Sequence, residues 1–385
     1  MESDKTVYII DAKRTPIGKR NGSLSDIHPV DLLGNLIKET VKMNSINPEN
    51  IDDVIAGCVD QTGNQAINIA RNAWLSAGFP ESVPGVTVDR QCGSSLQALQ
   101  FAANGIVAKD YGMAIACVVE SMTRVPMFST IKEATPITDS LRSRYGLSDE
   151  WFSQANGAEL IAKKYNISRQ DMDLLSYNSH IRANRAREIF AREIIPVKSN
   201  EKVILSEDEG IRQNPDLEKM NSLASPFHGI TTITAGNSSQ ISDGASVAIL
   251  AGQEAVDKFN LKSRAKIVAT GAVAVDPVTM LEGPIPVTEK LLRRSGRGME
   301  DIDVFEVNEA FASVVLAWEK ELKVSPEKVN INGGAIALGH PLGATGTRII
   351  STMLNTLETE KMKTGLIAIC EGGGMANGAI IERLD

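Results

Sequence analysis

The sequence predicts an α/β protein made of two related halves, with a segment of different character inserted between them. Three observations predict it. Short β-rich runs alternate with amphipathic helical stretches, the pattern of stacked helix and mostly parallel sheet layers. Two pairs of segments recur at a nearly constant offset: 51–58 resembles 301–308, and 112–117 resembles 365–370, with 303 − 53 = 250 and 365 − 112 = 253. Between the halves, residues 122–241 hold fifteen Lys and Arg and fifteen Asp and Glu, so the rest of the chain carries the whole net charge of −8. An anionic ligand is therefore expected at the insert. A chain of 385 residues with 42% hydrophobic content can bury a core for two or three domains or subdomains.

The first half holds a junction at Val86-Thr87-Val88-Asp89-Arg90-Gln91-Cys92-Gly93-Ser94-Ser95. β-branched alternation precedes the cysteine, and Leu96, Leu99, Ala103, Ile106 and Val107 follow at helical spacing. Cys92 is thus expected at a helix N-terminus, where unpaired N–H groups and the positive end of the helix dipole favour a thiolate nucleophile. Under the duplication Cys117 corresponds to Cys370, but Val118-Val119 follow it where Glu371-Gly372-Gly373 follow Cys370, so Cys117 reads as core. In the insert, Trp151 through Tyr165 reads as one helical stretch. Ser168 and Asp171 form a capping box opening a long helix, with Met172, Leu175, Ala183, Ala186 and Phe190 inward. Arg182, Arg185 and Arg187 read as a solvated face. Residues 210–244, rich in Gly, Ser, Thr and Asn, suit a loop lying against a ligand.

The second half brings Asn308-Glu309-Ala310-Phe311-Ala312 after the strand-like 304–307, and a glycine-rich stretch, 332–346, after a strand expected at 329–331. Both fall at strand C-terminal ends, where open α/β sheets place their sites. His340, between Gly339 and Pro341, has a constrained backbone and a ring free to act as a base. The last junction runs a buried-type strand, 365–369, into Cys370-Glu371-Gly372-Gly373-Gly374, whose glycines let backbone N–H groups approach a ligand. Cys92 and Cys370 together suggest a thiol site.

Several classes are disfavoured. The four cysteines are far apart and the four histidines lack ligand spacing, which argues against a metal site or a disulfide framework. The net charge of −8 argues against nucleic acid as partner. No apolar run is long enough to span a membrane and the start lacks signal-peptide character, so a cytoplasmic location is expected. The glycines at 339, 343 and 346 imitate a dinucleotide fingerprint, but their spacing is G-x-x-x-G-x-x-G.

Four blocks, CGSSLQAL at 92–99, NEAFA at 308–312, GGAIALGHPLGATG at 333–346 and CEGGG at 370–374, together resemble the thiolases over nearly the whole chain. AKRTPIG at 12–18 and TAGNSS at 234–239 add to the match. The resemblance implies two duplicated βαβ halves in an α-β-α-β-α layered fold. It places the N-terminal domain at 1–263, with a coenzyme A-covering loop domain inserted at about 122–241, and the C-terminal domain at 264–385. It also implies roles. Cys92 is the acylated nucleophile, His340 activates its thiol, and Cys370 moves the proton at the α-carbon of acetyl-CoA. Asn308 holds a water in an oxyanion hole shared with His340, and the N–H groups of Cys92 and Gly372 form a second. Arg212, Phe227 and Ser239 fall near coenzyme A, which is a substrate; no permanently bound cofactor is expected. A homodimer or homotetramer is implied.

Short-chain biosynthetic thiolases carry His-Met-Gly-x-Thr-Ala-Glu in the loop domain, where this chain has Ser153-Gln154-Ala155-Asn156-Gly157-Ala158-Glu159. The lost bulk is expected to admit longer or branched acyl chains. Gln240 replaces a glycine after the Ser-Ser pair, and Lys219 stands where a serine is usual and could supply a charge contact. A β-ketoacyl synthase and a non-catalytic coenzyme A-binding subunit remain as alternatives, with a nucleotide-dependent oxidoreductase third.

Overall fold

The computed structural model describes residues 5–131, 134–147 and 152–384. In chain order the strands are β1 (Val7–Arg14), β2 (Gly18–Lys19), β3 (Asp53–Gly57), β4 (Gly85–Val88), β5 (Met113–Ser121), β6 (Val197–Ser199), β7 (Lys202–Leu205), β8 (Ser242–Gly252), β9 (Ala265–Ala274), β10 (Val304–Val307), β11 (Thr364–Glu371) and β12 (Met375–Arg383). The helices are α1 (Pro29–Met43), α2 (Ile69–Ser76), α3 (Ser94–Ala108), α4 (Asp139–Tyr145), α5 (Gln154–Lys164), α6 (Arg169–Arg185), α7 (Arg187–Glu193), α8 (Leu217–Asn221), α9 (Gln253–Phe259), α10 (Pro284–Ser295), α11 (Ala312–Leu322), α12 (Ala335–Leu338) and α13 (Thr345–Thr359).

One path of strands, β10-β11-β12-β9-β1-β8-β5-β3-β4, runs through both halves, which meet where Tyr8 and Ile9 of β1 face Lys266 and Ala265 of β9. The repeat offset maps onto this path. β3 pairs parallel with β5 as β10 does with β11, and an antiparallel strand follows in each half, β8 and β12. Because those return strands and β1 and β9 are antiparallel, the sheet is mixed and mostly antiparallel, unlike the mostly parallel layers expected from sequence. Alternating side chains then sort the core into layers. Leu33, Leu36 and Trp74 of α1 and α2 pack on the outer face of the first half. Val287, Leu291 and Trp318 of α10 and α11 pack on that of the second. Leu99 of α3 and Ile350 of α13 lie between, against Leu250 and Ile369 of the two halves. The order is helix, sheet, helix, sheet, helix.

Residues 122–241 lie between β5 and β8. Arg14 on β1 ties this segment to the sheet: buried, it donates Nε to Glu193 at 2.6 Å and Nη1 to Asp208 at 2.6 Å. The expected capping box is present, Ser168 with Asp171. The helix it opens breaks at Ala186, so Phe190 belongs to α7. The other insert helix begins at Gln154; Trp151 lies outside the described residues. Two expectations are corrected. Arg182 is no solvated cation, since its guanidinium donates to the carbonyls of Val329 and Pro326 and joins α6 to the second half. Residues 329–331 make one bridge, Phe305 to Val329, and no strand. Asn330 takes φ 47°, which ends the extension, and its side chain bonds the N–H and carbonyl of Val307. Among the described residues no helix is long and apolar enough to cross a membrane.

Candidate active site

The site forms where the C-terminal ends of β10 and β11, the starts of α3 and α13, and the insert meet. Gly93 is the N-cap of α3, which places Cys92 one residue before the cap. Its thiol is buried. The backbone N–H groups of Cys92 and Gly372 favour the charged form of the Cys92 sulfur. The thiol is nonetheless not the lowered one expected from the helix terminus. Burial pushes it well up, the neighbouring Cys370 and Glu371 push it further, and the two N–H groups offset only part of this. Resting Cys92 is therefore a thiol. Cys370, at the end of β11, is pushed up to about 12 by burial and then by Glu371.

His340 is buried just ahead of α13, on a turn set by Gly339 at φ 109°. A side chain at Gly339 would stand 2.3 Å from the Ser242 hydroxyl. Nδ1 of His340 bonds the Thr345 hydroxyl at 2.5 Å, while Nε2 is buried without a partner among the described residues. Burial, and then the charge of Arg348, hold the imidazole down to about 3. It is neutral at physiological pH, with an open ring nitrogen. Asn308 follows β10, and both its amide atoms are buried with no partner among the described residues. A buried primary amide left this way is a cradle for a polar ligand atom. Glu309 beside it does something else: it accepts from Ser179 at 2.6 Å, Asn330 at 3.1 Å and the Ile336 N–H at 3.1 Å. That carboxyl joins α6 and α12 to the 308–312 turn.

A cavity of about 810 Å³ runs to this cluster and is lined by His340, Phe311, Phe152, Gln154, Gln240 and Leu342. Arg212, Phe227 and Ser239 line it too, so all three coenzyme A candidates share one wall set with His340. A second cavity of about 400 Å³ contains Cys92 and shares Gln154, Met127, Phe128 and Leu342 with the first. Arg212 faces the cavity because the acids near it are engaged elsewhere. Glu207 pairs with Arg187, Asp208 with Arg14, and Glu209 accepts from Ser23. Lys219 does not line the cavity. Gln240 ties the wall together, its Nε2 donating to the carbonyls of Gly210, Ile336 and Ala337.

Sequence reasoning missed two contributors. Lys19 and Arg20, exposed at the end of β2, add cationic charge to the cavity mouth. Nothing local to AKRTPIG marks them. Glu120, buried on β5, accepts the N–H groups of Val59, Asp60 and Gly343 and the Gln65 amide, and so pins the His340 loop to the first half.

With this geometry in place, comparison with known proteins is informative. Residues 7–254 match the model of the thiolase N-terminal domain and residues 261–383 that of the thiolase C-terminal domain. The chain is 49% identical to a steroid 3-ketoacyl-CoA thiolase of Mycobacterium tuberculosis, covering 98% of this chain and 94% of that protein. A probable acetyl-CoA acyltransferase of Staphylococcus aureus is 39% identical over 98% of this chain and 99% of its own. Among solved structures, the acetyl-CoA acetyltransferase of Bacillus anthracis superposes with TM-score 0.90 at 35% identity over 100% of both chains. The human mitochondrial 3-ketoacyl-CoA thiolase gives 0.89 at 34% identity over 99% of both.

Proposed function

The chain belongs to the thiolase family of acyltransferases, and from that premise we propose how its residues divide the work of making or cleaving a 3-ketoacyl-CoA. Cys92 is the nucleophile. Its thiol attacks the thioester or ketone carbon, and the Nε2 of neutral His340 takes the proton as the carbon–sulfur bond forms. The resting thiol is protonated, so attack and deprotonation belong together. The oxyanion of the acyl-enzyme step falls to the N–H groups of Cys92 and Gly372. In the condensing direction Cys370 first gives its proton to the departing coenzyme A thiolate, and the Cys370 thiolate then removes the α-proton of the second acetyl-CoA, whose enolate oxygen is met by His340 and a water held by Asn308. In the thiolytic direction Cys370 returns that proton, and free coenzyme A collects the acyl group from Cys92.

One observation carries this reading: among the described residues Nε2 of His340 and both amide atoms of Asn308 are buried without a partner, and the cavity that His340 lines shares walls with the one that holds the Cys92 thiol. Coenzyme A is read as substrate, with Lys19, Arg20 and Arg212 at its anionic end and Phe227 and Ser239 along the cavity. The acyl group is read as bulkier than acetoacetyl. Ser153-Gln154, which line the cavity where short-chain members carry His-Met, support this.

A dimer is also proposed. β4 ends the sheet with Val86 exposed, and Ile67, Leu75, Phe101 and Val107 are exposed on α2, α3 and the adjoining loop. An open apolar edge of this kind calls for a partner strand.

The test is thiolysis of 3-ketoacyl-CoAs with free coenzyme A, followed at the enolate band. The wild type should consume substrate, with larger acyl chains turned over faster than acetoacetyl-CoA. Both Cys92→Ser and Cys370→Ser should abolish turnover. A Cys370→Ser enzyme that keeps full thiolysis would overturn the two-cysteine reading, and a preference for acetoacetyl-CoA would overturn the chain-length reading.

A further inference from the structure

The two halves repeat a detail that the acyl-transfer scheme leaves unused. Near the end of β5 stands the buried Glu120 and at the end of β11 the buried Glu371, 371 − 120 = 251 positions apart. Each lies beneath a glycine of the opposite half. A Cβ on Gly343 would stand 3.1 Å from Oε2 of Glu120, and one on Gly93 would stand 1.9 Å from Oε1 of Glu371. These glycines are 343 − 93 = 250 positions apart. They sit just ahead of the central helices, next to Cys92 and in the His340 loop. The two carboxyls differ in what surrounds them.

Glu120 is ringed by the four donors described above, though burial still pushes it up to about 7. Both oxygens of Glu371 are buried with no hydrogen-bond partner among the described residues. The other atom close to the Gly93 Cβ position, at 2.6 Å, is Oδ1 of Asn377, which also lacks a partner. The orientation of Asn377 is fixed by its Nδ2, which donates to the Gly93 carbonyl at 2.9 Å. Turning the amide over would set its oxygen against that carbonyl and only move the conflict. Acceptors thus converge on one point, and a single proton resolves them.

We propose that Glu371 is a positioning residue that works as a neutral carboxylic acid, donating its proton to Oδ1 of Asn377 and thereby tying β11 and β12 to the turn that presents Cys92. The titratable and charged groups facing it are Arg90 and Asp89 from the segment before Cys92, Cys92 itself, and Cys370 on its own strand; Asn377 and Met375 of β12 do not titrate. Burial pushes Glu371 up to about 9, against the pull of Arg90 and with the push of Asp89. The chemical consequence lies at the thiols. An ionised Glu371 raises both Cys92 and Cys370, so the neutral acid keeps a standing negative charge away from two sulfurs that must each carry charge in turn. This rests on the assignment of Cys92 and Cys370 as the reacting pair.

The experiment combines infrared spectroscopy with kinetics on the wild type, Glu371→Gln and Glu371→Ala. The glutamine keeps the shape and the hydrogen but cannot ionise. The difference spectrum of wild type against Glu371→Gln should show the carbonyl stretch of a protonated carboxyl at neutral pH, lost on raising the pH past about 9. Glu371→Gln should keep kcat within about threefold and lack the alkaline fall that accompanies loss of that band in the wild type. Glu371→Ala should lose about tenfold or more in kcat with KM little changed. Absence of the protonated-carboxyl band at neutral pH overturns the proposal, as does a glutamine variant as impaired as the alanine one. The band is read without turnover, so an inactive wild type showing it would fault the thiol assignment and leave the state of Glu371 established. Should Glu371→Gln fail to fold, the difference spectrum is taken against Glu371→Ala, which also lacks the carboxyl and leaves the bands of other buried acids such as Glu306 to cancel.

Discussion

Lowering the pH should destabilise this protein through His340 in a way that a variant can isolate. The imidazole is buried, and burial and Arg348 hold it down to about 3, against 6.5 for an ordinary histidine. Between those values the unfolded chain binds a proton at this residue that the folded chain refuses. The native state therefore binds fewer protons, and stability falls as pH falls. His340 contributes no penalty above 6.5; below it each pH unit costs about 1.4 kcal/mol. From about pH 7.5 down to about pH 5 the loss is ~2 kcal/mol, a sizeable share of a typical folding free energy of roughly 5–15 kcal/mol. The assay is reversible urea unfolding of wild type and His340→Gln at both pH values. The wild type should lose ~2 kcal/mol more than the variant. His180, which burial and then Arg212 hold down to about 4, titrates in both proteins and cancels. Equal losses in the two proteins would refute the reasoning, because they would mean that His340 already accepts a proton in the fold. They would also remove the argument that a neutral ring is available to deprotonate Cys92.

Two further outcomes are expected. Asn308→Ala removes a buried amide whose atoms have no protein partner among the described residues, so it should leave the thermal midpoint nearly unchanged while lowering kcat about a hundredfold; a change under about threefold would remove Asn308 from the enolate step. Glu120→Gln turns an amino group toward two of the four donors that Glu120 now accepts, at about 1–3 kcal/mol for each bond lost. The thermal midpoint should fall by roughly 2–6 °C, and scanning calorimetry showing no fall would mean that the His340 loop is held by other contacts.

What could be read from the sequence was what its local pattern determines. Cys92 and Cys370 were visible because a strand meets a helix start or a glycine run at each. Asn308 and His340 were visible because they too follow a strand or sit among glycines. The duplication was visible because β3 with β5 and β10 with β11 are paired alike and buried alike. The charge state of the thiol was not visible, and the reason is physical. A helix terminus pulls a thiol pKa down, but burial, and then Cys370 nearly 280 residues away, push Cys92 up once the second half folds against the first. The same holds for Arg182, whose solvated look on α6 hides three carbonyls of the second half, and for Lys19 and Arg20, which join Arg212 only at the cavity mouth. The pseudo-symmetry makes the point sharper. Glu120 and Glu371 occupy matching places near the ends of matching strands, yet one is surrounded by N–H groups and the other by oxygens. Their positions follow from the repeat; their surroundings do not, since Val59, Asp60 and Gln65 bring donors to Glu120 where Asn377 brings an acceptor toward Glu371.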